Sequence, residues 1–151
     1  MNIDRFKDQH TQILDSIAKL RRHAHAGIAE HADQIAQLIV SMSAVIKLHL
    51  AAEDHTLYPA LEAASNPQLA RLGRQLQIEM ASIAADYGAF ARQWNTASQV
   101  RADPEGFRAQ ANQVLRTLYE RIKHENHDFY PAVERSAGPL ARTFTSREGF
   151  R

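Results

Sequence analysis

Apolar residues recur at steps of three and four along most of this chain. The first segment is typical, with core-facing positions at Ile3, Phe6, His10, Ile13, Ile17 and Leu20. This spacing places one apolar stripe along an amphipathic helix. No segment alternates apolar and polar residues for long enough to indicate a strand. The pattern therefore predicts an all-α protein.

Helix-breaking residues divide the chain into four such segments. The breaks fall at Gly27, Ser65-Asn66-Pro67, Asp103-Pro104 and Gly138-Pro139. Asn66 and Asp103 are favourable N-cap residues, and each precedes a proline at the first helical position. Since the connections are short, neighbouring helices should be antiparallel. We predict an up-down-up-down four-helix bundle over residues 1–136, followed by a C-terminal tail over residues 137–151.

A short sequence occurs twice in the chain, in the second and the fourth segments. Residues 49–62 (HLAAEDHTLYPALE) share six of fourteen residues with residues 121–134 (RIKHENHDFYPAVE). We interpret this as a duplicated helical hairpin. Each Tyr-Pro pair should end or kink its helix. Tyr58 and Tyr130 should pack beside the prolines or, alternatively, close the open end of the bundle over a ligand.

Ionisable residues interrupt three of the apolar stripes. His10 lies on the first, and His49 and Glu53 lie on the second. Glu125 lies on the fourth, where the position one turn earlier fits Arg121 or Ile122. Residues four apart share a helix face, so these side chains should meet inside the bundle. A buried carboxylate must be paired, metal-bound or protonated. Carboxylates and histidines on facing helices are typical of non-haem iron or manganese sites.

Composition and charge exclude several other functions. The net charge of +1 favours neither nucleic acid nor an anionic membrane as a partner. The absence of cysteine excludes disulfides and thiolate metal sites. The chain has no phosphate-binding glycine loop and no hydrolase motif, so no catalytic residue is predicted. The charged start MNIDRFKDQH and the lack of a long apolar run favour a cytoplasmic protein without a membrane span.

The sequence resembles the hemerythrin-like, or HHE cation-binding, domains over about residues 3–135. The resemblance lies in Phe6-xxx-His10-xx-Ile13-Leu14, in His49-xxx-Glu53-Asp-xx-Leu57-Tyr58-Pro59, and in Glu125-xxxx-Tyr130-Pro131. It implies a hemerythrin-like four-helix bundle. Members typically hold an oxo-bridged di-iron centre with histidine ligands and bridging carboxylates. They bind oxygen, respond to oxygen, nitric oxide or iron, or help to repair iron–sulfur clusters.

Residue by residue, the resemblance assigns four metal ligands: His10, His49, Glu53 and Glu125. His124 would be a fifth if the fourth helix rotates or bulges. Met80 and Arg121 stand where the family has further histidines. The resemblance therefore implies a non-haem iron or cation site that is incomplete or mononuclear.

Arg121 supports a second hypothesis, because a guanidinium can pair two carboxylates. A fixed cation bridging Glu53 and Glu125 would give a metal-free regulatory or interaction module. A hydrolase or oxidase using the two glutamates is least favoured, since Met80 and Arg121 preclude a complete di-iron site. Oxygen or nitric oxide is the expected small ligand, and a protein partner or a homodimer stays open. His23, His25 and His31 flank the Gly27 turn and are assigned to a solvated loop, with binding of a stray cation as the alternative. His55 and His127 are assigned to outer faces or helix ends.

Overall fold

The computed structural model describes residues 3–63 and 65–136, and within these ranges it contains helices and no strand. The tail predicted over residues 137–151 lies outside the described residues. The helices are α1 (Asp4–Ala26), α2 (Ala32–Ala52), α3 (Tyr58–Ala63), α4 (Pro67–Trp94), α5 (Ala97–Ala102), α6 (Pro104–His124) and α7 (Tyr130–Ser136). Two π-helical turns, Glu53–Leu57 and Glu125–Phe129, join α2 to α3 and α6 to α7. The all-α prediction is confirmed.

Four long helices form the bundle, with α1 against α2, α2 against α4, α4 against α6, and α6 against α1. The predicted N-caps are present at two of its corners. Asn66 Oδ1 accepts the backbone N–H groups of Gln68 and Leu69, and Asp103 Oδ1 accepts that of Gly106. The short helix α5 is an addition that the pattern of breaks did not indicate. Its N-cap is Thr96, whose hydroxyl accepts the Gln99 N–H.

The buried apolar residues form two clusters, and the ionisable residues lie between them. The larger cluster includes Ile13, Ile46 and Ile122. The smaller one, near the π turns, includes Phe6 and Phe129. On three of the four long helices a buried polar residue separates the two clusters: His10 on α1, His49 on α2 and Glu125 directly after α6. The bundle therefore carries a polar layer enclosed by apolar packing at both ends.

Both predicted proline sites are wrong as helix ends, because the helix continues through each of them. Proline lacks an N–H group and its ring clashes with the carbonyl four residues earlier. The chain absorbs this conflict by widening into a π turn before the proline. Tyr58 N–H donates to the Glu53 carbonyl and Tyr130 N–H donates to that of Glu125, each five residues back. The repeated sequence thus gives the same local structure twice.

The continuous helix Ala32–Ala63 is long and apolar enough to cross a membrane by length and composition alone. The core helix of a water-soluble bundle meets the same criterion. Here, His49 and Glu53 on this helix are fully buried against the rest of the bundle. The absence of a membrane partner stays a prediction.

Candidate metal centre

Two imidazole rings meet in the polar layer. His10 on α1 and His49 on α2 are both buried, and their Nε2 atoms lie 3.0 Å apart. The ring centroids are 4.5 Å apart. Phe6 packs edge-on against His49, and Tyr130 stacks on His10. Aromatic packing on both rings therefore fixes their orientation.

The opposite nitrogen of each ring is held by a side-chain amide. His10 Nδ1 lies 2.7 Å from Asn126 Oδ1, and His49 Nδ1 lies 2.8 Å from Gln9 Oε1. An amide oxygen can only accept, so each Nδ1 carries the hydrogen and donates it. In the neutral ring the lone pair is then on Nε2. Both lone pairs point into the same small space.

Two carboxylates face these lone pairs. Glu125 Oε1 lies 3.1 Å from His10 Nε2, and Glu53 Oε1 lies 3.2 Å from His49 Nε2. Glu53 Oε1 and both Glu125 oxygens have no hydrogen-bond partner among the described residues. The Tyr130 hydroxyl lies 3.3 Å from His10 Nε2 but donates to Glu53 Oε2. Apart from this hydroxyl, acceptors surround a common point without a donor among the described residues. Such an arrangement is stable only when a cation or added protons occupy it.

The electrostatics of the centre follow from its burial. Burial raises the pKa of Glu125 above its usual value, and the negative charge of Glu53 adds to this, while His10 opposes it. Burial likewise raises the pKa of Tyr130 and Tyr58, again reinforced by Glu53. Both tyrosines are therefore neutral hydrogen-bond donors. Tyr130 donates to Glu53 Oε2 at 2.9 Å, whereas the Tyr58 hydroxyl has no partner in the described part of the chain.

The structure brings three of the five predicted ligands within reach of one ion and places a fourth, Glu53, beside them. His10, His49 and Glu125 each offer a ligand atom within 4.8 Å of the others, and Glu53 adjoins His49. His124 lies outside this group. Its side chain is 48% exposed, and its Nδ1 is 2.9 Å from Asp128 Oδ2. Since Ile122 keeps the inward position on α6, the rotation that would have turned His124 inward does not occur.

The proposed bridging role of Arg121 is wrong. Its Nη2 lies 3.0 Å from Glu79 Oε1 on α4, at the partly exposed edge of the bundle. Ile122 occupies the core position that Arg121 would have needed. Among the described residues, the two buried glutamates therefore have no guanidinium to neutralise them, and the metal-free hypothesis loses its central ion pair.

Three further residues contact the centre: Gln9, Asn126 and Tyr130. Gln9 and Asn126 were not predicted to do so; they directly precede His10 and follow Glu125 in sequence, off the regular stripe. Tyr130 was assigned to packing or, alternatively, to closing the bundle over a ligand, and its hydroxyl bonds Glu53. Tyr130 corresponds to Tyr58 in the repeated sequence, and this repetition was the one sequence signal that could have indicated its contact with the centre. The assignment of His55 and His127 to the outer face is confirmed, since both are exposed.

The ligand set fits a divalent cation with mixed nitrogen and oxygen preference. Two imidazole nitrogens and two carboxylates suit iron, manganese or zinc. The amides of Gln9 and Asn126 supply the outer hydrogen bonds that usually orient metal-bound histidines. The two negative charges balance a divalent ion.

The comparisons with known proteins point to one family. The family described as hemerythrin HHE cation binding domain matches residues 1–133. No curated protein and no solved structure matches the chain.

Proposed function

Because the chain belongs to the hemerythrin HHE cation-binding domain family, we propose that its polar layer binds one non-haem iron ion. The ligands are His10, His49, Glu53 and Glu125. The function that we infer is binding or sensing of oxygen or nitric oxide by this iron. Iron supplies reversible redox chemistry and open coordination positions at such a site.

The convergence of unpartnered acceptors is the observation that supports this proposal. Asn126 and Gln9 hold the two Nδ1–H groups, so two lone pairs face each other at 3.0 Å. Two lone pairs at this distance repel each other unless a cation or a proton lies between them. The free oxygens of Glu53 and Glu125 complete the same cation-binding space.

A single ion is favoured over a pair because only three of the four long helices supply ligands and α4 supplies none. The ligands lie on α1, on α2 with its π turn, and on the π turn after α6. On α4, Met80 is buried in the apolar core where the family has histidine. Two histidines with carboxylates and open positions are typical of mononuclear non-haem iron.

Burial of the site favours a small ligand over an organic substrate. The four ligand side chains are at most 1% exposed. A diatomic molecule can reach such a site through fluctuations of packing, whereas a larger molecule would need the helices to separate. The neutral Tyr58 hydroxyl provides a hydrogen-bond donor beside Glu53, and it is unsatisfied among the described groups.

Elemental analysis of the protein purified after growth with added iron tests the metal. We expect about one iron per chain, because the four ligands form one site. Loading the metal-free protein with ferrous iron under anaerobic conditions should reach the same value. Less than about 0.2 metal per chain after both treatments would overturn the proposal, since an assembled four-ligand site should be filled when the metal is supplied.

Removal of an orienting amide tests the site without removing a ligand. Gln9→Leu leaves the Nδ1–H of His49 without its acceptor, so iron affinity should fall by about 10–100-fold. Gln12→Leu, on the exposed face of the same helix, is the matched control and should bind iron as the wild type does. Equal affinities for the three proteins would contradict the assignment.

Gas binding is tested separately, on the iron-loaded and reduced protein. Addition of nitric oxide or oxygen should change its optical and electron paramagnetic resonance spectra, and Glu125→Gln protein should show no such change. An iron-loaded wild type that responds to neither gas would refute the sensing role while leaving iron binding intact.

A further inference from the structure

A second pair of histidines meets at the connection between α1 and α2. His23 lies in the last turn of α1 and His31 directly precedes α2. Their Nδ1 atoms are 2.9 Å apart, and their ring centroids are 5.0 Å apart. Both residues are half-buried, whereas His25 in the same connection is exposed. His25 is thus solvated as expected for a turn, whereas His23 and His31 are half-buried and pair with each other.

The backbone of the connection holds the two rings in place. Gly27 has a φ of 134°, a conformation that favours glycine, and its N–H bonds the His23 carbonyl at 3.1 Å. His31 N–H bonds the Gly27 carbonyl at 3.0 Å. Ile28 is buried in the larger apolar cluster. The positions of both histidines are thus fixed by the turn between them.

The two Nδ1 atoms lie at hydrogen-bond distance, with one ring donating to the other. The same spacing also suits a chelating pair of metal ligands. Two imidazole nitrogens bound at about 2.0–2.1 Å and meeting at a right angle lie about 2.9 Å apart. Tetrahedral coordination would require about 3.4 Å at the same bond lengths. Right-angle coordination by nitrogen is typical of Cu²⁺ and Ni²⁺.

We propose that His23 and His31 form a separate site for a divalent copper or nickel ion. Both Nδ1 lone pairs bind the ion, so the ring that now donates its Nδ1 hydrogen carries that hydrogen on Nε2 instead. Within the described residues, no third histidine or carboxylate offers a ligand atom within 4.8 Å of both nitrogens. Water therefore fills the remaining positions, and the ion exchanges readily. Its effect is to tie the end of α1 to the start of α2.

Paramagnetic broadening locates this site in the full chain. Substoichiometric Cu²⁺ should broaden the amide resonances of Gly27 and Ile28 before those around Tyr130. His23→Gln and His31→Gln should each abolish this broadening, and His25→Gln, the matched control, should retain it. Broadening that persists in the first two variants, that is lost in His25→Gln, or that starts around Tyr130 in the wild type would overturn the proposal.

Calorimetry gives an independent measurement on the same proteins. Titration with Ni²⁺ should show one binding event fewer in His23→Gln than in the wild type and His25→Gln. The buried centre stays intact in all three proteins, so its binding event cancels in the comparison. The same number of events in all three would count against the site.

Discussion

At the scale of single residues, two amides determine what the histidines can do. Gln9 and Asn126 carry no charge and are not metal ligands in the proposed site. By accepting the Nδ1–H groups, they direct the Nε2 lone pairs of His49 and His10 toward Glu53 and Glu125. A rotated ring would offer an N–H group to a carboxylate and would satisfy it without a metal. The amides therefore keep lone pairs, and not N–H groups, directed at the carboxylates, so that a cation is required to balance them.

Glu125→Gln is expected to raise the stability of the metal-free protein and to abolish metal binding. Burial raises the pKa of Glu125, and glutamine resembles its protonated form. The metal-free variant at pH 7 should be more stable than metal-free wild type by about 1–3 kcal/mol, the cost of an unsatisfied buried group. It should bind no iron.

The contribution of Glu125 to the free energy of unfolding should depend on pH with a defined sign. A carboxyl group with a raised folded-state pKa contributes stability below its ordinary pKa of 4.5, and loses that contribution as pH rises through the folded value. Urea unfolding of chelator-treated wild type should show this loss, and Glu125→Gln should not. Glu120→Gln, at an exposed position on α6, is the control. A variant with wild-type pH dependence would contradict the assignment.

Arg121→Met is expected to have a small effect. The ion pair with Glu79 is partly exposed, with side chains 16% and 38% accessible, so its loss should cost at most about 1 kcal/mol. Iron content should equal that of the wild type. Arg116→Met, an exposed position on α6 without a described partner, provides the comparison in urea unfolding. A loss of about 3–5 kcal/mol would instead indicate a buried charge network.

At the scale of helices, the two π turns are the feature that builds the site. Each begins at a buried glutamate and ends just before a Tyr-Pro pair. A π turn is less stable than regular helix and occurs often at functional sites. In this bundle the second turn brings both Glu125 and Asn126 to His10 while Tyr130 reaches Glu53. One local distortion thus supplies a ligand, an orienting amide and a hydrogen-bond donor.

Pro131→Ala tests whether the proline maintains this turn. Alanine restores an N–H group and removes the clash with the carbonyl four residues earlier, so regular α-helix can compete with the π turn. Iron affinity should fall by roughly tenfold, as for loss of an orienting contact, without loss of folding stability. Pro104→Ala, where the missing N–H is not needed, should keep wild-type affinity. Unchanged affinity for Pro131→Ala would show that packing alone holds the turn.

Helical periodicity predicted what depends on local sequence and failed where tertiary contacts decide. The stripe positions of His10, His49, Glu53 and Glu125 follow from steps of three and four, and all four are buried. On α6 the same pattern fitted Arg121 or Ile122 equally well. Only the packing against α4, where Glu79 receives the arginine, distinguishes them.

Helical periodicity could not predict that the helix widens into a π turn before each proline. A Pro in a helical pattern is compatible with an end, a kink or a π turn. The choice depends on whether the following residues have a core to pack against. Here Tyr58, Leu61, Tyr130 and Val133 are all buried in the smaller apolar cluster, so continuing the helix is favoured.

At the scale of the whole molecule, the polar layer joins parts of the chain that are far apart in sequence. Its ligands run from His10 on the first helix to Glu125 after the sixth, and it separates the two apolar clusters. Without a cation the layer is the least favourable part of the core, since it contains unpartnered carboxylate oxygens. A bound ion would link α1, α2 and the second π turn at once. Metal binding and global folding should therefore be coupled.

This coupling predicts a metal-dependent melting temperature. Free ferrous iron at 100 times its dissociation constant should stabilise the native state by about 2.7 kcal/mol, because the unfolded chain lacks the assembled site. For a domain of this size the gain corresponds to a rise of roughly 5–10 °C in Tm. Anaerobic calorimetry with and without a chelator measures it. His23→Gln should keep the full rise, because its histidine pair is separate from the buried centre, and Glu125→Gln should lose it. A wild-type Tm that does not respond to iron, or a rise that survives in Glu125→Gln, would show that the polar layer is not where the metal acts.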